Sequence, residues 1–122
     1  MYDFEKLIYK TIKDIGAKAV YGYPTDWNTL PIIDYVEGTF SDPTITINDR
    51  KTRSFEVQYF VDVWSRDPKE MSSLGEQAID KLEKAGFHVT SLGQVQDPYD
   101  PTIFHLRLSA QAHWDKIENT LY

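Results

Sequence analysis

The stretch from Arg53 to Asp67, RSFEVQYFVDVWSRD, constrains this chain more than any other. Successive side chains of an extended chain point to opposite faces, so Phe55, Val57, Tyr59, Val61 and Val63 fall on one side. Glu56, Gln58, Phe60, Asp62 and Trp64 fall on the other. The pattern predicts a long strand with an apolar face and a mixed polar and aromatic face. Asp67 and Pro68 follow at once, a residue able to cap a helix and one suited to its first turn. The strand therefore feeds directly into a helix.

The remaining elements arrange themselves around this joint. Phe4, Leu7, Ile8, Ile12 and Ile15 recur at three- and four-residue spacing and predict an amphipathic helix over Tyr2 to Ala17, with Asp3 as cap and Gly16 as stop. KAVYGY at Lys18 to Tyr23 reads as a short strand, followed by turn residues Pro24, Thr25, Asp26 and Asn28. PIIDYVEG, Pro31 to Gly38, alternates as a second strand. Thr39 to Thr52, with its Asp42-Pro43 turn, is expected to project as a loop or hairpin. From Asp67 to Ala85, Met71, Leu74, Ala78, Ile79 and Leu82 form one helical stripe that ends at Gly86. Phe87 to Val95 is a further strand, QDPYDP a turn-rich loop, and Thr102 to Trp114 a last strand with nearly unbroken alternation. The order is helix, two strands, loop, long strand, helix, two strands. It predicts an α+β two-layer sandwich, an antiparallel or mixed sheet of four to five strands with both helices on one face. Residues 1–114 form this single domain, and residues 115–122 are expected as a C-terminal tail or arm.

At 122 residues the chain is long enough for one hydrophobic core. No apolar run approaches the roughly 20 residues that cross a bilayer, so no membrane partner is expected. The acidic, amphipathic start MYDFEKLIYK does not resemble a signal peptide, and points to a cytoplasmic or virion location. The absence of cysteine removes disulfides, thiolate metal sites and cysteine nucleophiles. A net charge of −6 opposes the counterion release that drives phosphate binding, so no specific nucleic-acid binding is expected.

A search for catalytic chemistry finds little. His105 and His113 lie eight residues apart on one strand, about 26 Å by strand rise, and cannot share an ion. His88 approaches His105 only if their strands pair suitably. Asp97 and Asp100 sit beside Pro98 and Pro101, where aspartate serves turns, and with Asp115 they make no persuasive carboxylate pair. No serine lies in a GxSxG elbow, and no glycine-rich phosphate loop is present. The expectation is a protein that is not an enzyme, with no catalytic residues, cofactor or metal.

The second face of the long strand is the oddity. If helices cover the valine face, Phe60 and Trp64 point away from the core among Glu56 and Asp62, the mixture that protein interfaces favour. Either a neighbouring subunit or a segment of the same chain covers them. On the last strand, Arg107 and His105 are placed to face Glu56 or Asp62 across the sheet. Phe60, Trp64, Glu56, Asp62 and Arg107 are thus the subunit-interface candidates, and Trp64→Ala is expected to leave a folded subunit that no longer assembles. A different class of function, a small ligand-binding or enzymatic domain, would use an aromatic pocket of Tyr21, Tyr23, Trp27 and Tyr35.

A strand like PIIDYVEG, a long strand ending VDVWSRD, an amphipathic helix, AGFHV and a final TIFHLRLSAQAHW together resemble the small tail terminator and tail completion proteins of long-tailed bacteriophages. The resemblance spans Met1 to Trp114, and its most telling piece is the W-S-R-D step at Trp64 to Asp67. It implies an α+β subunit that assembles into a ring, usually a hexamer and compatible with a monomer in solution. Such a ring caps the tail tube at the head-proximal end of the virion tail and joins it to the head connector. Its partners would be other copies of itself, the major tail tube protein and a head-completion protein. The family supplies no catalytic residues, and Asp49, Arg50 and Lys51 of the long loop are the candidate contacts to tube or connector. A head-completion or neck subunit on the portal side is the alternative within virion assembly.

Overall fold

The computed structural model describes residues 4–41, 54–96, 100–115 and 120–121 of the chain. In order these form α1 (Phe4–Ile12), β1 (Lys18–Tyr21), a 3-10 turn (Trp27–Thr29), β2 (Ile32–Ser41), β3 (Ser54–Ser65), α2 (Pro68–Lys84), β4 (His88–Gln96), β5 (Phe104–Asp115) and β6 (Thr120–Leu121). The strands make one mixed sheet in the order β1-β2-β3-β5-β4, with β6 paired to β5. Among the described residues only β1 and β2 run parallel; the other pairs are antiparallel. The protein is thus the α+β two-layer sandwich that the order of its elements predicts, with helices on one face of the sheet.

The valine face of β3 is the floor of the core. Val57, Val61 and Val63 are wholly buried there beside Tyr59, with Leu106, Leu108, Ala110, Ala112 and Trp114 of β5 alongside. Phe4, Ile8 and Ile12 of α1 and Met71, Leu74, Ala78 and Leu82 of α2 cover them from above. α1 is shorter than its periodicity suggests. It stops at Ile12, and the chain turns so that Ile15 enters the core at Gly16, which takes φ +100. Burial of Ile15 outweighs one more helical turn.

The joint between β3 and α2 explains the W-S-R-D step. Asp67 caps the helix by accepting from the Lys69 N–H at 3.0 Å, with Pro68 in the first turn. Glu70 stands at the position from which a capping-box carboxylate would reach back to the cap residue's N–H. Here the reach is relayed, because Ser65 Oγ accepts from Asp67 N–H at 3.0 Å and donates to Glu70 Oε1 at 2.7 Å. At the far end Gly86 N–H bonds the Glu83 carbonyl and Phe87 N–H the Leu82 carbonyl, a Schellman stop with Phe87 and Leu82 both buried.

Gly75 sits in the middle of α2, where glycine ordinarily costs about 1 kcal/mol relative to alanine. A Cβ there would fall 2.3 Å from Leu106 Cδ2, so the glycine lets the helix lie close upon β5. Thr120–Leu121 of the expected C-terminal arm pairs back onto Trp114 and Asp115, and Asp115 is fully buried at the end of β5. Thr39, Phe40 and Ser41, expected in the projecting loop, continue β2, while residues 42–53, with the loop candidates Asp49, Arg50 and Lys51, lie outside the described residues.

Two outcomes follow from this packing. Val61→Asp, a charge in the middle of the buried face, is expected to abolish cooperative unfolding measured by circular dichroism. Gly75→Ala is expected to lower the denaturation midpoint, by about 1 kcal/mol of stability, because overpacking against Leu106 exceeds the gain in helix propensity. A raised midpoint would contradict the close-approach account.

Candidate functional site

On the sheet face opposite the helices, β2, β3 and β5 bring together a buried polar cluster. Asp34 and Asp62 stand directly opposite each other in the antiparallel β2–β3 register, and are 2% and 6% exposed. Trp64 Nε1 donates to Asp34 Oδ2 at 2.7 Å. His105 Nε2 lies 2.6 Å from Asp62 Oδ1. The Trp64 indole and His105 imidazole, themselves cross-strand partners, stack in parallel with centroids 3.8 Å apart. The cluster therefore closes on itself, from indole to carboxyl to carboxyl to imidazole and back through the ring stack.

Arg107 forms its outer edge. Its Nε is 3.4 Å from Asp62 Oδ1, but without hydrogen-bond alignment, so this buried N–H has no hydrogen-bond partner among the described residues. Its guanidinium rests 4.1 Å over the Phe60 ring. Phe60 in turn lies over Gly38, where a Cβ would come within 2.8 Å of the ring. Beyond it, Gln58 Nε2 donates to Ser109 Oγ at 2.9 Å.

The chain covers one end of this face itself. After β1 the backbone turns at Gly22, and Asp26 closes the 3-10 turn by accepting from Asn28 N–H at 3.0 Å. Tyr23 and Trp27 pack edge-on against Trp64 with centroids 5.6 and 5.1 Å away. Trp64 is consequently 6% exposed and is not free to meet another subunit. Asp62 is likewise internal. Of the interface candidates, Glu56 is exposed and Phe60 and Arg107 are partly so. The pairing of Arg107 and His105 with an acidic residue of β3 goes to Asp62.

Two close carboxyls in a buried setting resist double ionisation. Burial and the neighbouring Asp62 push the Asp34 carboxyl up to about 8, against the opposing pull of the Trp64 N–H. At neutral pH Asp34 thus keeps its proton and can share it with Asp62. The carboxylate pair of this fold is therefore Asp34 and Asp62, not any pairing among Asp97, Asp100 and Asp115. Asp100 instead caps a turn at Thr102 N–H, and Asp97 lies outside the described residues. A signal was present in the sequence: IIDYV and FVDVW each set one aspartate among four apolar residues, where only a partnered carboxyl is tolerated.

His88 pairs with Gln111, six positions along β5 from His105, so the two histidines do not meet. Among the described residues no group of three or more His, Asp or Glu is placed to hold a metal ion. The aromatic pocket of Tyr21, Tyr23, Trp27 and Tyr35 does not form, because its members divide between two faces. Tyr21 packs on Tyr35 at 5.4 Å on the helix side, and Tyr23 packs on Trp27 at 5.4 Å on the other. No protein-family model matches the chain, and no curated protein matches it.

Trp64→Ala, which removes the indole from beneath Tyr23 and Trp27 and leaves Asp34 without its donor, is expected to cost about 4 kcal/mol in chemical denaturation. Stability is also expected to fall as pH rises. The folded state holds the Asp34 proton up to about 8 while the unfolded chain releases it near 3.8, so unfolding releases a proton between these values. The single-group limit is about 1.4 kcal/mol per pH unit. Asp34→Asn presents the same acceptor to Trp64 and an N–H₂ to Asp62, so its denaturation midpoint should fall less between pH 5 and pH 8.

Proposed function

We propose that the protein is a structural virion subunit of a long-tailed phage or prophage, which forms a ring that terminates the tail tube and joins it to the head connector. The observation that carries this reading is the placement of exposed apolar side chains at opposite edges of an open sheet. Tyr9 and Tyr21, 42% and 53% exposed, both pack on Tyr35 near the β1 edge. Leu92, 52% exposed, lies on β4 at the other edge. A closed ring is built from head-to-tail contacts, which require two different patches on each subunit. Two edges that differ in this way meet the requirement, and Phe60, Glu56 and Arg107 add accessible surface on the open face. The α+β fold is also the one that the resemblance to tail terminators implies. The net charge of −6 also suits a ring through which DNA passes, since acidic walls repel phosphate.

The test is assembly on tails. Antibody labelling of the wild-type protein is expected at the head-proximal tip, and deletion of its gene should give tails of uncontrolled length without heads. Tyr21→Asp and Leu92→Asp should each leave a folded monomer by circular dichroism yet abolish joining of heads to tails. Normal tail length and normal joining in the deletion would refute the reading.

A further inference from the structure

The polar cluster under Trp64 is more than a buried anchor. Turn 22–30 crosses the open face of the sheet, and Tyr23 and Trp27 seat it by their edge contacts with the Trp64 ring. The orientation of that ring is set from below, by its bond to Asp34 and its stack on His105. Asp34 in turn faces Asp62, to which His105 and Arg107 are both drawn. Beyond the Gly22 N–H bond to the Tyr35 carbonyl, the ring contacts of Tyr23 and Trp27 converge on one indole of the sheet, and that indole is held by one carboxyl of a close pair.

We propose that the Asp34–Asp62 pair is a proton-operated latch for turn 22–30. With one proton between them the two carboxyls bind each other, Trp64 stays bonded to Asp34, and Tyr23 and Trp27 are clamped. Loss of that proton to solvent leaves two adjacent carboxylates facing each other in a buried setting. They separate, the Trp64 bond to Asp34 shifts with them, and the turn lifts from the sheet.

The charged and titratable groups that bear on the pair come from each surrounding element. β5 contributes His105 and Arg107, both directed to Asp62. β1 contributes Lys18, whose register partner Ile32 lies two residues before Asp34. The turn contributes Tyr23 and Asp26, the latter occupied with Asn28. Glu56 of β3 lies six residues from Asp62, about 20 Å along the strand. The register partners of His105 and Arg107 on β4 are Val95 and Gly93, which do not titrate. Burial and the facing Asp62 hold the proton on Asp34 against the pull of Trp64 and Arg107, and this is the proton that leaves.

The readout is near-ultraviolet circular dichroism of the full chain from pH 6 to pH 9, which reports the packed Trp27 and Trp64 rings. The wild-type signal is expected to fall with a midpoint near 8 while the far-ultraviolet spectrum stays constant. Asp34→Asn, which keeps both hydrogen bonds without a titrating proton, should hold the signal throughout. A flat wild-type titration, or the same midpoint in the variant, would overturn the latch. Should the variant not fold, carbon-13 carboxyl and indole proton resonances of the wild type decide the question. The proposal requires that the upper ionisation of the pair and a shift of the Trp27 indole share one midpoint, and two carboxyls already ionised at pH 6 would end it.

Discussion

The pairing of β3 with β5 is the constraint on which the rest of the structure depends. The two strands run in register from Ser54–Asp115 to Ser65–Phe104 without a bulge. A slip of one residue would move every side chain of one strand to the opposite face. The valines would then meet solvent and Asp62 would enter the helix-covered core, so the register is enforced from both faces. Strands β2 and β4 inherit their positions from this pair, and each absorbs its mismatch in an irregularity, between Glu37 and Phe40 and between Ser91 and Gly93.

The two faces of the sheet reach burial by different physical means. On the helix side the driving force is apolar area, with Ile8, Ile12, Met71, Leu82, Val57, Val61, Val63 and Leu108 all without solvent exposure. On the other side, burial of Asp34 and Asp62 is unfavourable unless each finds partners, and Trp64, His105 and the pair itself provide them. Polar satisfaction there selects one arrangement of the rings, and apolar packing alone would accept many. The short turn 22–30 can therefore be seated by two aromatic side chains.

The proposed ring contacts and the proposed latch draw on different elements of one small domain. The exposed tyrosines of α1 and β1 and the Leu92 edge belong to the helix and sheet layers, whereas the carboxyl pair lies beneath the segment that crosses the open face. Tyr23, 67% exposed, lies in that segment and contacts Trp64. A change in the turn would thus alter the surface offered to a neighbour without disturbing the core.

Element order, the two-faced character of β3, the capped start of α2 at Asp67 and its stop at Gly86 were all legible in the sequence. Each is a local property, set by side-chain alternation or by the chemistry of one turn. What covers Phe60 and Trp64 was not, since a neighbouring subunit and a segment of the same chain leave the same pattern along a strand. Only the tertiary structure brings Tyr23 and Trp27 over Trp64 and sets Asp34 against Asp62, because those meetings join residues 28 to 41 positions apart and depend on strand register. The same holds for Gly75, whose value appears only once Leu106 is seen beneath it. Local sequence determined the elements and their faces; the pairing of strands decided which polar groups are buried together, and hence where a proton can act.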